Sequence, residues 1–148
     1  MRLSELSRYL FLAASVPYLL LGIAHALSTP LRPADRKGLS PADPPLAEAM
    51  ARTALRLTRR TDMWRAWVGF NLSHGLGLVV LGTVILLVGR SEAAFRAQAS
   101  LFVPFALLAS GAYLLLATKY WFRTPIIGCA LSLALFLSSW LALTLEMR

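Results

Sequence analysis

The sequence predicts an all-α integral membrane protein, a four-helix bundle with an interfacial amphipathic helix in its long first loop. Composition is the first observation, because 57% of the 148 residues are hydrophobic and only 15% are charged. A soluble domain is nearer to about 45–50% apolar and about 25% charged. The charges are also concentrated between long apolar runs. The length suits a single transmembrane domain over residues 1–148.

Four uncharged runs are each long enough to cross a bilayer, which takes about 20 apolar residues in a helix. The predicted spans are about 9–27, 67–88, 101–117 and 125–145. The first run has a second interpretation as a secretory signal, with "AHA" as a cleavage site. The greater length of the run favours an intact span.

Local signals predict the helix ends and the faces that pack closely. Gly89 is expected to end the second helix, and Ser91 to cap the third. Pro17 and Pro104 remove backbone donors inside spans and are expected to kink them. Small residues predict close helix packing, and they recur in the second and fourth spans as Gly69, Ser73 and Gly77 and as Gly128 and Ser132.

The long first loop contains a predicted helix over about 44–62, with Asp43 as its cap and Pro44 at its first position. Its apolar face holds Leu46, Met50 and Leu57, and its basic face holds Arg52, Arg56, Arg59 and Arg60. We expect this helix to lie on the membrane surface, with the arginines on anionic headgroups of the membrane lipids. The alternative is a solvated basic helix that extends the second span.

The distribution of cations predicts the orientation of the chain in the cell (inner) membrane. The long loop and the loop between the third and fourth spans hold ten Lys and Arg residues, and the opposite side holds five. The positive-inside rule therefore puts the long loop in the cytoplasm and both termini outside.

Several functional classes are disfavoured by what the chain lacks. The net charge of +8 flanks apolar spans rather than forming a basic soluble face, so no nucleic-acid partner is expected. A single cysteine, Cys129, excludes an intramolecular disulfide and dithiol chemistry. Proton-coupled transport is disfavoured because the predicted spans contain no carboxylate.

Both histidines of the chain lie in apolar runs, which is costly in hydrocarbon and therefore informative. Consecutive spans are antiparallel, so His25 near the end of the first and His74 in the second belong to the same leaflet. Asn71 lies one helical turn before His74. Packing is the alternative interpretation of each residue alone. Together they predict a ligand site.

The loop between the third and fourth spans returns on the same side and holds "TKYWFRTP". Lys119, Tyr120, Trp121 and Arg123 therefore complete the predicted ligand-binding residues. An aromatic belt at the interface with snorkelling cations is the alternative interpretation of this loop.

The predicted function is binding of a lipid, a quinone or another small apolar molecule at this His/Asn site. One alternative is a b-type haem protein with His25 and His74 as axial ligands. Another is an accessory, non-catalytic subunit of a larger membrane complex, or a homo-oligomer. Two histidines without an intramembrane carboxylate are a poor ligand set for zinc or di-iron, so no metal site is predicted. No nucleophile with a partner is evident, so no reaction class is assigned.

The segments "GFNLSHGLG", "GIAHAL" and "KYWFRTPIIG" resemble those of a group of small, uncharacterised bacterial membrane proteins with four spans, distantly similar to the DoxX-like families. The likeness covers the order of the spans and these motifs. It implies the four-span fold and carries no activity with it.

Overall fold

The computed structural model describes residues 2–146, and this part of the chain is helical apart from its loops. The helices are α1 (Leu3–Ala13), α2 (Ser15–Ser28), α3 (Pro44–Arg52), α4 (Met63–Arg90), α5 (Glu92–Tyr120) and α6 (Arg123–Glu146). By length and composition, Leu3–Ser28, Met63–Arg90, Glu92–Tyr120 and Arg123–Glu146 can each cross a membrane. The prediction of four spans is confirmed at this level, and it indicates a multi-pass membrane protein.

The first span is divided into α1 and α2 at Ala14. Pro17 has no N–H to bond the carbonyl four residues earlier, so the helical hydrogen bonds are interrupted here. The hydroxyl of Ser15 bonds the Leu12 carbonyl at 2.6 Å, and Ser132 of α6 donates to the Ala14 carbonyl at 3.0 Å. A neighbouring helix thus satisfies a backbone acceptor at the break, as a membrane environment requires.

The chain forms two compact units, one of residues up to Leu21 and from Leu78 onward, the other of Gly22–Gly77. In the first unit, α6 packs against both α1 and α5. Phe11 is fully buried, with its ring centroid 5.3 Å from that of Phe95 and 5.5 Å from that of Phe136. These rings form the centre of an apolar core that the three helices share.

Hydroxyl side chains join helices inside this first unit. Ser7 of α1 donates to the Ser139 carbonyl, and Ser139 of α6 donates to the Ser7 carbonyl, each at 2.9 Å. Tyr18 donates to Ser110 at 2.7 Å. All four residues are buried. Such bonds add interhelical stability where the hydrophobic effect between helices is weak.

Glycines of the first unit permit close contacts between helices. α4 continues one residue past Gly89, to Arg90, and Gly89 does not have the positive φ of a glycine helix stop. The expectation that Gly89 ends the helix was therefore wrong, and its role is steric, since a Cβ there would come within 2.8 Å of the Leu12 side chain. Gly128 behaves as predicted, since a Cβ there would meet Leu21 at 2.6 Å. Ser91 also behaves as predicted, because its side chain accepts a bond from the backbone of Ala94.

The second unit holds the end of α2, the long loop, α3 and the first half of α4. Asp35 accepts bonds from the backbone N–H groups of Leu31 and Arg32, and so closes a tight turn after α2. The indole of Trp64 is buried and donates to the Leu31 carbonyl at 3.3 Å. These bonds attach the start of the loop to the start of α4.

The loop helix is shorter than predicted, because α3 begins at Pro44 but ends at Arg52 instead of continuing to about 62. Thr53 has an extended backbone, and its carbonyl accepts a bond from the Met63 N–H at 2.8 Å. An antiparallel bridge joins Ala54 and Asp62. The backbone between them is therefore paired across a closed loop, and Leu57 and three of the four arginines lie in that loop rather than on a helix.

Candidate functional site

The second unit brings α2 and α4 into close contact at one glycine, Gly75. A Cβ at this position would lie 3.0 Å from the carbonyl oxygen of Gly22 and 3.3 Å from the amide nitrogen of Ala26. Both atoms belong to backbone and cannot move aside as a flexible side chain can. Any side chain at this position would push the two backbones apart by a few tenths of an ångström. The close approach brings the polar side chains of the two helices within hydrogen-bonding reach.

Asn71 is the fixed centre of the polar cluster, with only 5% of its surface exposed. Its amide nitrogen donates to the Trp67 carbonyl of the preceding turn at 2.8 Å. Its amide oxygen lies 3.0 Å from Nε2 of His25. Since the amide nitrogen is used by the backbone, the oxygen is the atom that faces the imidazole, and His25 Nε2 is the donor.

The second histidine contacts the first through its ring. The centroids of His25 and His74 are 5.0 Å apart, and the ring planes are inclined at 63°, an edge-to-face contact. The ring of Phe70 lies nearly parallel to that of His74, with a centroid distance of 6.4 Å and an angle of 12°. Both histidines are half-buried, whereas Phe70 is 67% exposed. Phe70 therefore forms the open side of the cluster.

The backbone around His25 is also anchored. Thr29 is fully buried, and its hydroxyl donates to the His25 carbonyl at 2.9 Å. Trp64 and Trp67, one turn apart on α4, have ring centroids separated by 5.2 Å. The polar cluster lies one to two turns further along the same helix, so aromatic rings precede and accompany it.

This arrangement combines hydrogen-bonding side chains with apolar ring surface, which is typical of sites for small apolar molecules with a polar head. Within residues 2–146, no group of three or more His, Cys, Asp or Glu side chains could hold a metal ion. Acid–base chemistry would need a reacting partner for an imidazole.

The two histidines do not fit haem as a pair of axial ligands. A macrocycle between two axial imidazoles would have to occupy the space that their edge-to-face contact fills. In addition, Nε2 of His25 is directed at the Asn71 oxygen rather than at an open volume. Haem ligation would require both rings to leave the positions that the structure shows.

The other predicted site residues belong to the first unit. Lys119 and Tyr120 end α5, with the Lys119 ammonium 5.4 Å from the centroid of the Tyr120 ring. Trp121 follows as the C-cap residue, with its ring centroid 6.1 Å from that of Phe122, and Arg123 begins α6. Tyr120 and Phe122 are exposed, as expected of an interfacial belt. The participation of this loop in a site with the histidines stays a prediction.

Two contributors to the cluster were not predicted from the sequence. Phe70 lies four residues before His74, so a search for aromatic residues at helical spacing from the histidine could have found it. Gly75 lies four residues after Asn71. Sequence spacing favoured Gly69, Ser73 and Gly77 for close packing, but a Cβ at Gly69 would meet nothing within 4 Å, and Ser73 is exposed.

Comparisons with known proteins leave the geometry as the sole guide to function. No family model, no curated protein and no solved structure matches the chain. The resemblance to DoxX-like families therefore stays a prediction, and so does a bacterial origin.

Proposed function

We propose that this protein binds a small apolar molecule with a hydrogen-bonding head group, of the lipid or quinone class, at His25, Asn71 and His74. The observation that carries the proposal is the cluster itself: an imidazole bonded to a buried amide, in contact with a second imidazole that is stacked on an exposed ring. We further propose that the four spans form a bundle in the cell (inner) membrane, with the long loop in the cytoplasm.

The chemistry of the cluster supports this class of ligand. An imidazole N–H can donate to a quinone or ester carbonyl, and an aromatic ring can cover the flat or apolar part of the molecule. Phe70 offers such a ring at the surface of the second unit. In a membrane, that surface is within reach of molecules dissolved in the lipid.

The cost of polar groups in hydrocarbon is a second argument. The first unit shows how this chain strengthens packing, by short hydroxyls that bond the backbone of a neighbouring helix. Two imidazoles and an amide are more polar than such packing requires. Polar residues inside spans are usually functional for this reason.

A binding experiment tests the proposal on the full chain in nanodiscs. A short-chain benzoquinone is titrated while tryptophan fluorescence is recorded, because Trp67 lies one helical turn before Asn71 on α4 and quinones quench indoles. We expect saturable quenching in the parent protein. Lipids retained during purification are identified in parallel by native mass spectrometry.

Three variants give the experiment its specificity. His74→Phe keeps a ring but removes the hydrogen-bonding atoms, and Asn71→Leu removes the bond to His25; each should weaken binding about tenfold, the equivalent of one hydrogen bond. Ser73→Ala is the matched control, since Ser73 is exposed on the same helix and bonds only the Phe70 carbonyl among the described contacts. Equal binding by His74→Phe and the control, for both quinone and retained lipid, would overturn the proposal.

An absorption spectrum tests the haem alternative separately. After expression with added haem we expect no Soret band, because the imidazole contact leaves no room for the macrocycle. A Soret band that disappears in both His25→Ala and His74→Ala would contradict this geometry and replace the proposal with a haem site.

A further inference from the structure

The chain between α3 and α4 forms a closed loop that we call the arginine loop, residues 53–63. Its ends are joined by the bond from the Met63 N–H to the Thr53 carbonyl and by the antiparallel bridge between Ala54 and Asp62. The Arg60 N–H adds a bond to the Thr58 hydroxyl at 3.2 Å inside the loop. The loop therefore has a defined start and end instead of being an open linker.

The arginine loop leads directly into a membrane span. Met63 is the first residue of α4, and Asp62 caps that helix by accepting the Arg65 N–H at 2.8 Å. Trp64 and Arg65 follow, residue types that are typical of the membrane–water boundary. Because the loop ends at the first residue of the span, its position along the membrane normal is set near the head groups.

Three cations of the loop are available to a partner. Arg56, Arg59 and Arg60 are exposed. Among the described residues, the ion pairs of this part of the chain use Arg52 with Glu48 and Arg65 with Asp62, and none uses the three loop arginines. The nearest acid in the sequence, Asp62, is therefore already engaged by α4.

Leu57 makes this loop different from a merely basic one. It is 94% exposed, the highest fraction among the large hydrophobic residues of the described chain. Its neighbour in the sequence is Arg56, and Arg59 follows two residues later. A leucine flanked by arginines matches a surface that is negatively charged outside and apolar just beneath.

We propose that the arginine loop docks on anionic phospholipids of the membrane that the protein spans, with Leu57 inserted among the acyl chains. Arg56, Arg59 and Arg60 bind lipid phosphates, for which a guanidinium is suited by its fork of donors. This arrangement differs from the amphipathic surface helix that the sequence predicts. Arg52 is not one of the lipid-binding residues, and Leu57 is the apolar anchor of the loop. It does not depend on the proposed ligand site at the histidines.

Charge and connectivity favour a lipid surface over other acidic partners. A nucleic acid would satisfy the guanidinium groups but would leave Leu57 in water. An anionic bilayer can bind the guanidinium groups and also bury Leu57. In addition, the loop is attached directly to a span of the same bilayer. Both the composition of the loop and its direct connection to α4 therefore favour lipid as the partner.

The experiment places an environment-sensitive fluorophore at the tip of the loop. Leu57→Cys is labelled with a nitrobenzoxadiazole group in a Cys129→Ala background, because Cys129 is the single cysteine of the chain. The full protein is reconstituted in nanodiscs of phosphatidylcholine, alone or mixed with phosphatidylglycerol. We expect a blue shift and quenching by shallow brominated lipids only when phosphatidylglycerol is present.

Two matched double variants separate the effect of the loop arginines from the effect of the total charge of the chain. Arg59→Gln with Arg60→Gln should lower the equilibrium constant for insertion about 30-fold, as expected for two cations near an anionic surface. Arg36→Gln with Lys37→Gln removes two exposed cations elsewhere in the same long loop and should leave insertion unchanged. A label at Leu46, exposed on α3, controls for insertion driven by the fluorophore.

The outcomes are distinct for a folded protein, which circular dichroism verifies for each variant. Emission that is identical in the two kinds of nanodisc would overturn the proposal. Equal losses in both double variants would also overturn it, because the effect would then be one of total charge. A response to duplex DNA in phosphatidylcholine nanodiscs, without one to phosphatidylglycerol, would assign the loop to nucleic acid instead.

Discussion

The two units of the chain use polar side chains inside apolar helices in different ways. In the first unit, the buried polar bonds are made by hydroxyl groups, such as Ser7 with Ser139 and Ser132 with the Ala14 carbonyl. In the second unit, an amide and two imidazoles meet, and the imidazoles are only half-buried. The first arrangement is enclosed and the second faces outward through Phe70.

The difference separates packing from a candidate binding site. A hydroxyl that donates to a backbone carbonyl has used its only proton, and it joins two helices at little steric cost. An imidazole has two ring nitrogens and a broad aromatic face, and the imidazoles of the second unit are half-buried rather than enclosed. Substitutions in the core of the first unit should therefore change stability alone, and those at the His/Asn cluster or at its helix contact should change stability and binding together.

The largest expected effect is in the core of the first unit. Phe11→Ala removes a fully buried ring between Phe95 and Phe136 and should lower the free energy of unfolding by about 3 kcal/mol, because the helices cannot close the cavity. Equilibrium unfolding in mixed micelles measures this. Quinone binding per folded molecule should not change.

Phe105→Ala is the control for that substitution. Phe105 lies on α5 but is 54% exposed, so its loss should change stability by less than about 0.5 kcal/mol. Equal destabilisation by the two substitutions would mean that the first unit has no specific aromatic core.

A smaller effect, on both properties, is expected at the helix contact of the second unit. Gly75→Ala puts a methyl group against the backbone of α2 and should cost about 2 kcal/mol, the typical penalty of overpacking. The same separation of helices lengthens the bond between His25 and Asn71, so ligand binding should weaken as well. Thermal denaturation and the quinone titration measure the two effects.

Gly69→Ala gives the opposite sign on the same helix. Nothing lies within 4 Å of a Cβ at Gly69, so the substitution should stabilise α4 by up to about 1 kcal/mol through helix propensity. Binding should be preserved. Destabilisation at Gly69 equal to that at Gly75 would indicate that Gly69 is the contact between helices after all.

The smallest effect concerns the turn after α2. The backbone N–H of Arg32, with lesser contributions from the N–H of Leu31 and the nearby cations, holds the pKa of Asp35 below its usual value. A lowered pKa in the folded state stabilises the turn at neutral pH, and this stabilisation is lost as the pH falls below about 4. The protection of amides in residues 29–40 against hydrogen exchange, relative to the intrinsic exchange rate at each pH, should therefore decrease in that range.

Asp35→Asn should remove this pH dependence and leave the exchange of the turn faster at neutral pH. Asp43→Asn is the matched control, because Asp43 precedes α3 without a side-chain cap bond and should have no such effect. If Asp35→Asn leaves both the rate and its pH dependence intact, the turn does not rely on the carboxylate.

The convergence of His25, Asn71 and His74 could be predicted because two consecutive spans are antiparallel and the depth of a residue follows from its count along the helix. The partners within that cluster could not. Whether Asn71 bonds His25, and whether Gly75 or Gly69 faces α2, depends on the rotation of each helix about its own axis. Small residues recur on more than one face of α4, so their spacing did not select the face.

The prediction that the loop helix continues to about residue 62 was wrong for a different reason. Leucines and arginines at helical spacing continue beyond Arg52, and local propensity alone would extend the helix. The bond between Thr53 and Met63 joins residues that are ten positions apart, and it replaces helical bonds with a closed loop. A pattern over neighbouring residues does not include this bond, so it could not predict that a closed loop replaces the helix.

By itself, the sequence determined the number of spans and the convergence of the two histidines. The number of spans depends on the length of each apolar run, and the convergence depends on the alternating direction of consecutive spans. Both follow from counting residues along the chain. The tertiary structure alone decided which faces meet: Gly75 against Gly22, His25 with Asn71, Ser7 with Ser139. Each of those contacts depends on the relative rotation and separation of two helices, and shifts of a few tenths of an ångström decide whether the contact forms.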